Sequence, residues 1–170
     1  MTRQVMIGGV AVGGGASVKI QSMNNTDTRD AKATLEQIAR LKDAGCDITR
    51  VAVPDMEACE ALKVITKESP IPVVADIHFD YRLAIGAAQN GAAKIRINPG
   101  NIGGPDKLKL VADCCKERKI PIRVGVNSGS ISREILAKYG EVNAKAMTAS
   151  ALWAVTLLED QDQSGQHRRT

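Results

Sequence analysis

The chain has 170 residues, 44% hydrophobic and 25% charged, with a net charge of +4, enough for one domain with a core of its own. No apolar run approaches the roughly 20 residues that span a bilayer, and "MTRQVMIGGV" has neither a signal-peptide core nor an Arg/Ser-rich transit segment, so the expectation is a cytoplasmic protein with no membrane role. Four aromatic residues (Phe79, Tyr81, Tyr139, Trp153) are too few for a base-stacking platform and no Lys/Arg run marks a phosphate-backbone stripe, so no nucleic acid is expected; the mild positive excess suits a small anion.

The first segment, "QVMIGGVAVGGGASV", has two short β-like runs about Gly8-Gly9 and predicts a hairpin. Gly13-Gly14-Gly15 lacks the Walker Lys-Ser/Thr pair and the dinucleotide spacing, and reads as a turn. Five strand-like runs follow: 18–23 (VKIQSM), 48–53 (ITRVAV), 73–78 (VVADIH), 94–98 (KIRIN) and 122–127 (IRVGVN). Helical patterns fill the gaps: 28–44 with Leu35, Ile38 and Leu41, stopped at Gly45; 55–67 opened by Asp55; 81–90 ended at Gly91; and 105–119 opened by Pro105. Two more helices are predicted over 133–139 and 144–160, and 161–170, without an apolar residue, is expected to be a disordered tail. Strands alternating with helices at this period predict βα units on a parallel sheet.

Strands alternate their side chains between two faces. Here one face holds Val18 and Ile20, Val51 and Val53, Val73 and Ile77, Ile95 and Ile97, and Val124 and Val126. The other holds Lys19, Gln21 and Met23; Ile48, Arg50 and Ala52; Val74, Asp76 and His78; Lys94, Arg96 and Asn98; and Arg123, Gly125 and Asn127. A doubly wound sheet buries both faces in apolar runs. This pattern instead fits an α/β fold of the (β/α)8 TIM-barrel type, with about five βα units after the hairpin, apolar faces under the helices and polar faces in the lumen.

Lys19, Arg50, Lys94, Arg96 and Arg123 face a single acid, Asp76. Such a surplus predicts an anionic ligand, and guanidinium groups match phosphate oxygens in a fork. Backbone N–H groups of "PGNIGG" and "SGS" are expected to add donors. The alternatives are specific. Arg96 can pair with Asp76 across neighbouring strands, Lys19 and Lys94 can snorkel at the lower rim, His78 can be an ordinary core histidine, and Asn98 and Asn127 can serve turns. Cys46, Cys59, Cys114 and Cys115 form no C-x-x-C pair and read as free thiols, with no metal site expected among them.

"QSMNNTDTRD", "RVAVPDMEA", "VADIHFDYRLA", "KIRINPGNIG" and "IPIRVGVNSGS" resemble the N-terminal part of the 4-hydroxy-3-methylbut-2-enyl diphosphate synthases of the methylerythritol phosphate route to isoprenoids. The resemblance implies a TIM barrel followed by a C-terminal iron–sulfur domain. It implies an oxidoreductase that opens 2-C-methyl-D-erythritol 2,4-cyclodiphosphate reductively, using a [4Fe-4S] cluster fed by flavodoxin or ferredoxin, in a homodimer. By motif, Arg50, Arg96, Asn98, Arg123 and Asn127 would hold the diphosphate, with Asp76, His78 and Gln21 lining the pocket. The family's cluster ligands, three cysteines and a glutamate, and its next strand find no match here. The expectation is therefore a partial barrel over 1–160, with no cluster on this chain and no turnover by it alone. Another phosphate-ligand barrel, such as a pterin-binding synthase, and a non-catalytic binding fragment are the other readings.

Overall fold

The computed structural model describes the backbone of residues 2–164 and the side chains of residues 2–159. Strands β1 (Val5–Ile7) and β2 (Val10–Val12) pair antiparallel about Gly8-Gly9. Both glycines have positive φ, 52° and 89°, as a two-residue primed hairpin turn requires.

Five parallel strands follow: β3 (Gln21–Met23), β4 (Ile48–Ala52), β5 (Val73–Ile77), β6 (Lys94–Ile97) and β7 (Ile122–Val124). They lie side by side in chain order. Between them run α1 (Ala31–Asp43), α2 (Met56–Glu68), α3 (Tyr81–Gln89) and α4 (Pro105–Glu117); α5 (Arg133–Tyr139) and α6 (Ala144–Ser164) follow β7. This is the expected partial barrel of the TIM type.

Three of the loops leaving the strands end in aspartate caps. Asp30, Asp55 and Asp80 accept from the N–H groups of Ala33 (2.9 Å), Ala58 (3.0 Å) and Arg82 (2.9 Å) at the starts of α1, α2 and α3. Pro105 opens α4 behind Gly104, whose φ is 101°. The loops after β3, β4 and β5 are thereby tied to the helices that follow them.

The core lies between the sheet and the helices. Val51, Ile77, Ile95 and Ile97 from the strands meet Leu62, Leu83 and Leu108 from α2, α3 and α4. Each fully buried side chain of this kind contributes about 1.5–3 kcal/mol. A smaller cluster lies on the opposite, lumenal face, where Ile7 of the hairpin packs against Ile48 and Val74. The hairpin thus closes the lumen at the amino ends of the strands. Its turn sits tight on β5: a Cβ on Gly8 would stand 2.9 Å from Pro72 Cβ.

Three expectations change. The first strand was expected over 18–23 with Val18 and Ile20 under helices, but pairing starts at Gln21, and Val18 and Ile20 are 93% and 59% exposed. The Ile20 carbonyl is taken by the N–H groups of Asp47 and Ile48 at the foot of β4, at 2.9 and 3.2 Å, so the preceding chain runs outside the ladder. The fifth strand ends at Val124 rather than residue 127, although Gly125 N–H still bonds Ile97 O at 2.8 Å. The expected tail over 161–170 begins inside a helix, since α6 continues to Ser164; its remainder lies outside the described residues. Among the described residues no helix is long and apolar enough to cross a membrane.

Candidate functional site

The strand register places Asp76 of β5 beside Arg96 of β6, and Arg96 beside Arg123 of β7. Asp76 is 3% exposed, and Arg96 Nη1 donates to its Oδ1 at 3.0 Å. Arg50 Nε lies 3.6 Å from its other oxygen, and His78 Nε2 3.7 Å from the same atom. One carboxylate therefore binds the Arg96 guanidinium and stands within 3.7 Å of a second guanidinium and an imidazole. The ion pair between Arg96 and Asp76, an alternative at the level of sequence, is present, but it consumes only part of the positive charge. Arg50 also turns its Nε and Nη2 to Met23 Sδ, at 3.3 and 3.0 Å.

Below this cluster lies a cavity of about 500 Å³. Arg50, Lys94, Arg123 and Lys19 line it with Gln21, and Ile7 of the hairpin lies at its floor. Among the described residues no carboxylate is part of its wall. Lys19 has an outside partner, Asp47, at 3.8 Å. Lys94 is half-buried between Arg50 and Arg123; burial first, and the two guanidinium charges next, push its ammonium below the ordinary lysine range.

The two asparagines take other places. Asn98 is 2% exposed; its Oδ1 accepts from Gly100 N–H at 3.2 Å, and its Nδ2, though buried, has no partner in the structure. Asn127 is exposed and opens a short 3-10 turn, Ser128–Ser130, in which Ser130 Oγ and N–H both bond the Asn127 carbonyl, at 3.0 and 3.1 Å. The loops after β6 and β7 touch, since a Cβ on Gly100 would lie 2.8 Å from Ser130 O. The loop N–H donors expected for a ligand are partly spent: those of Gly100, Asn101 and Ser130 bond within their own turns.

The structure therefore joins Arg50, Asp76, Arg96 and His78 in one charged cluster, and Gln21, Arg50 and Arg123 in the cavity beneath it. Asn98 and Asn127 shape the rim loops. Gly125 is a residue whose role the sequence reading missed. A Cβ there would stand 2.5 Å from Arg96 Nε and Nη2, so the glycine makes the space in which the guanidinium lies. A glycine inside a strand-like run is the signal that could have found it.

The cysteines do not gather. Cys46 donates to Ile48 O at 3.0 Å, Cys59 is buried in α2 against Leu83 O, and Cys114 and Cys115 lie on α4. Among the described residues no group of three or more His, Cys, Asp or Glu could hold a metal ion. A [4Fe-4S] cluster normally takes four converging protein ligands, and the residues described here do not fit one.

Parallel strands in chain order, backed by helices and carrying a cationic lumen, define an α/β barrel of TIM type. Solved structures share the fold alone: 7,8-dihydropteroate synthase from Vibrio fischeri matches at TM-score 0.63 and 13% identity over 94% of this chain and 62% of that one. Phospho-2-dehydro-3-deoxyheptonate aldolase from Thermotoga maritima matches at TM-score 0.61 and 14% identity over 94% and 43%. The family is settled by sequence. The model of the GcpE TIM-barrel domain matches residues 2–166, and the chain belongs to that family. It is 57% identical over 159 residues to the 4-hydroxy-3-methylbut-2-en-1-yl diphosphate synthase (flavodoxin) of Clostridium acetobutylicum, covering 94% of this chain and 46% of that protein. With the synthase of the same name from Geobacter sulfurreducens the identity is 55%, over 94% and 45%. The chain thus spans less than half the length of these relatives.

Proposed function

We propose that this chain is the substrate-holding barrel of a 4-hydroxy-3-methylbut-2-enyl diphosphate synthase. In the whole protein the reaction is the reductive ring opening of 2-C-methyl-D-erythritol 2,4-cyclodiphosphate in isoprenoid biosynthesis. The observation that carries this reading is the excess of Arg50, Lys94, Arg96 and Arg123 over Asp76 in one lumen, in a chain 57% identical to such a synthase.

Arg50, Arg96 and Arg123 bind the diphosphate. Asp76 holds the first two guanidinium groups in place before the ligand arrives, which lowers the ordering cost of binding. Asn98 and Asn127 set the loops that meet above it, and Asn98 Nδ2 is a donor still free to take an acceptor. His78, about half-exposed beside Asp76, and Gln21, at the foot of β3, line the pocket. In the whole protein a [4Fe-4S] cluster would supply the electrons; the described residues offer no ligand set for one, and its ligands would lie in the family's iron–sulfur domain. The names of the relatives support a flavodoxin as donor, with ferredoxin as the alternative. A homodimer and a cytoplasmic location belong to the same reading; the four free cysteines support a reducing compartment. A pterin-binding synthase rests on fold likeness alone.

Calorimetric titration with inorganic diphosphate tests the binding role. Arg96→Ala should cost about 2–4 kcal/mol of binding. Arg96→Lys should recover only part of that, since a point charge cannot replace a planar fork. Unchanged affinity in both variants would remove Arg96 from the site.

A further inference from the structure

We infer that Lys94 is the floor contact of the anion site and sets its preference for a diphosphate over a single phosphate group. The inference rests on the diphosphate-binding reading above and adds a residue and a selectivity to it.

Each of the other lumenal cations has a partner or an open side. Lys19 is tied to Asp47, Arg50 and Arg96 share Asp76, and Arg123 is exposed on β7. Lys94 is half-buried and, among the described residues, has neither a hydrogen bond nor an ion pair. Its charged neighbours are Arg50 and Arg123, both of its own sign. The lower rim, to which a lysine here could have snorkelled, is occupied by the hairpin, whose Ile7 is 2% exposed. A half-buried cation flanked by two others, in a cavity without a carboxylate, is unfavourable unless an anion joins it. The cavity has about 500 Å³ in which to place that anion.

The arrangement separates two tasks. The guanidinium group of Arg96, fixed by Asp76 and Gly125, suits one phosphoryl group in a fork. Lys94, a rotatable point charge one row deeper, suits the added charge of a second. A monophosphate seated on the arginines does not need it.

The test is titration of inorganic phosphate and inorganic diphosphate into the wild-type chain, Lys94→Met, Lys94→Arg and Arg96→Ala. Lys94→Met is expected to weaken diphosphate about tenfold or more and phosphate less than about threefold, with Lys94→Arg retaining most of the preference. Equal losses for both ions overturn the selectivity. An unchanged diphosphate affinity in Lys94→Met, beside a loss in Arg96→Ala, overturns the role of Lys94 and leaves the diphosphate reading standing. Failure of the wild-type chain to bind either ion overturns both. Should Lys94→Met not fold, acetylation of wild-type lysines followed by mass spectrometry serves instead. Diphosphate should shield Lys94 while the exposed Lys63 and Lys67 react as before; undiminished labelling of Lys94 at saturating diphosphate overturns the inference.

Discussion

Gly125 and Arg96 occupy one space: the position of a Cβ on Gly125 lies 2.5 Å from Arg96 Nε and Nη2. The φ of Gly125 is not in the left-handed region, so its backbone accepts alanine without strain. The atoms in the way belong to the end of a flexible side chain. Gly125→Ala should therefore cost little stability, about 1 kcal/mol, while moving the guanidinium off Asp76. Diphosphate affinity should fall about tenfold. A thermal melt beside a calorimetric titration separates the two effects; intact affinity would mean that the placement of Arg96 does not matter to binding.

Asp76 is the counter-charge for Arg50 and Arg96 and is almost fully buried. Asp76→Asn leaves two guanidinium groups uncompensated, at a cost on the order of 3 kcal/mol. Added diphosphate should then raise the melting temperature of the variant more than that of the wild type, because the ligand replaces the missing charge. An equal rise in both proteins would contradict this.

Burial pushes the Cys115 thiol up to about 12, from 9.0 in the unfolded chain. The folded state keeps this proton longer than the unfolded one. Its contribution to stability is whole below pH 9 and lost as the pH climbs toward 12, by roughly 2–4 kcal/mol. Unfolding titrations across that window should show a steep alkaline loss, shallower in Cys115→Ala. Parallel curves for the two proteins would show that this thiol does not set the alkaline limit.

Among the described residues β3 and β7 each have one sheet neighbour, which leaves the other edge of each unpaired. Open edges invite association. The isolated chain is expected to self-associate, with a sedimentation-derived mass that rises with concentration. A monomer with a sharp cooperative melt at high concentration would be the opposite result.

The period-two alternation made Arg50, Asp76 and Arg96 legible as one face, because β4, β5 and β6 are central strands whose two sides have unlike surroundings. It failed at Val18 and Ile20, where the same alternation carries no information because the segment never enters the ladder. Asn98 was legible as a turn residue or a ligand contact. Its burial, with Oδ1 spent on Gly100, comes from the contact between the loops after β6 and β7, which no local pattern encodes. The isolation of Lys94 was equally hidden, since it depends on a hairpin more than 80 residues away in the chain.

That hairpin has a consequence for how the chain is made. Residues 5–12 leave the ribosome before the strands they pack against, and Ile7 finds its cover only when Ile48 and then Val74 have followed. A lone two-stranded hairpin is marginal in water. The βα units can dock one after another as they emerge, each on its predecessor, while the hairpin waits for two of them. The floor of the barrel is synthesised before its walls and is set in place after them.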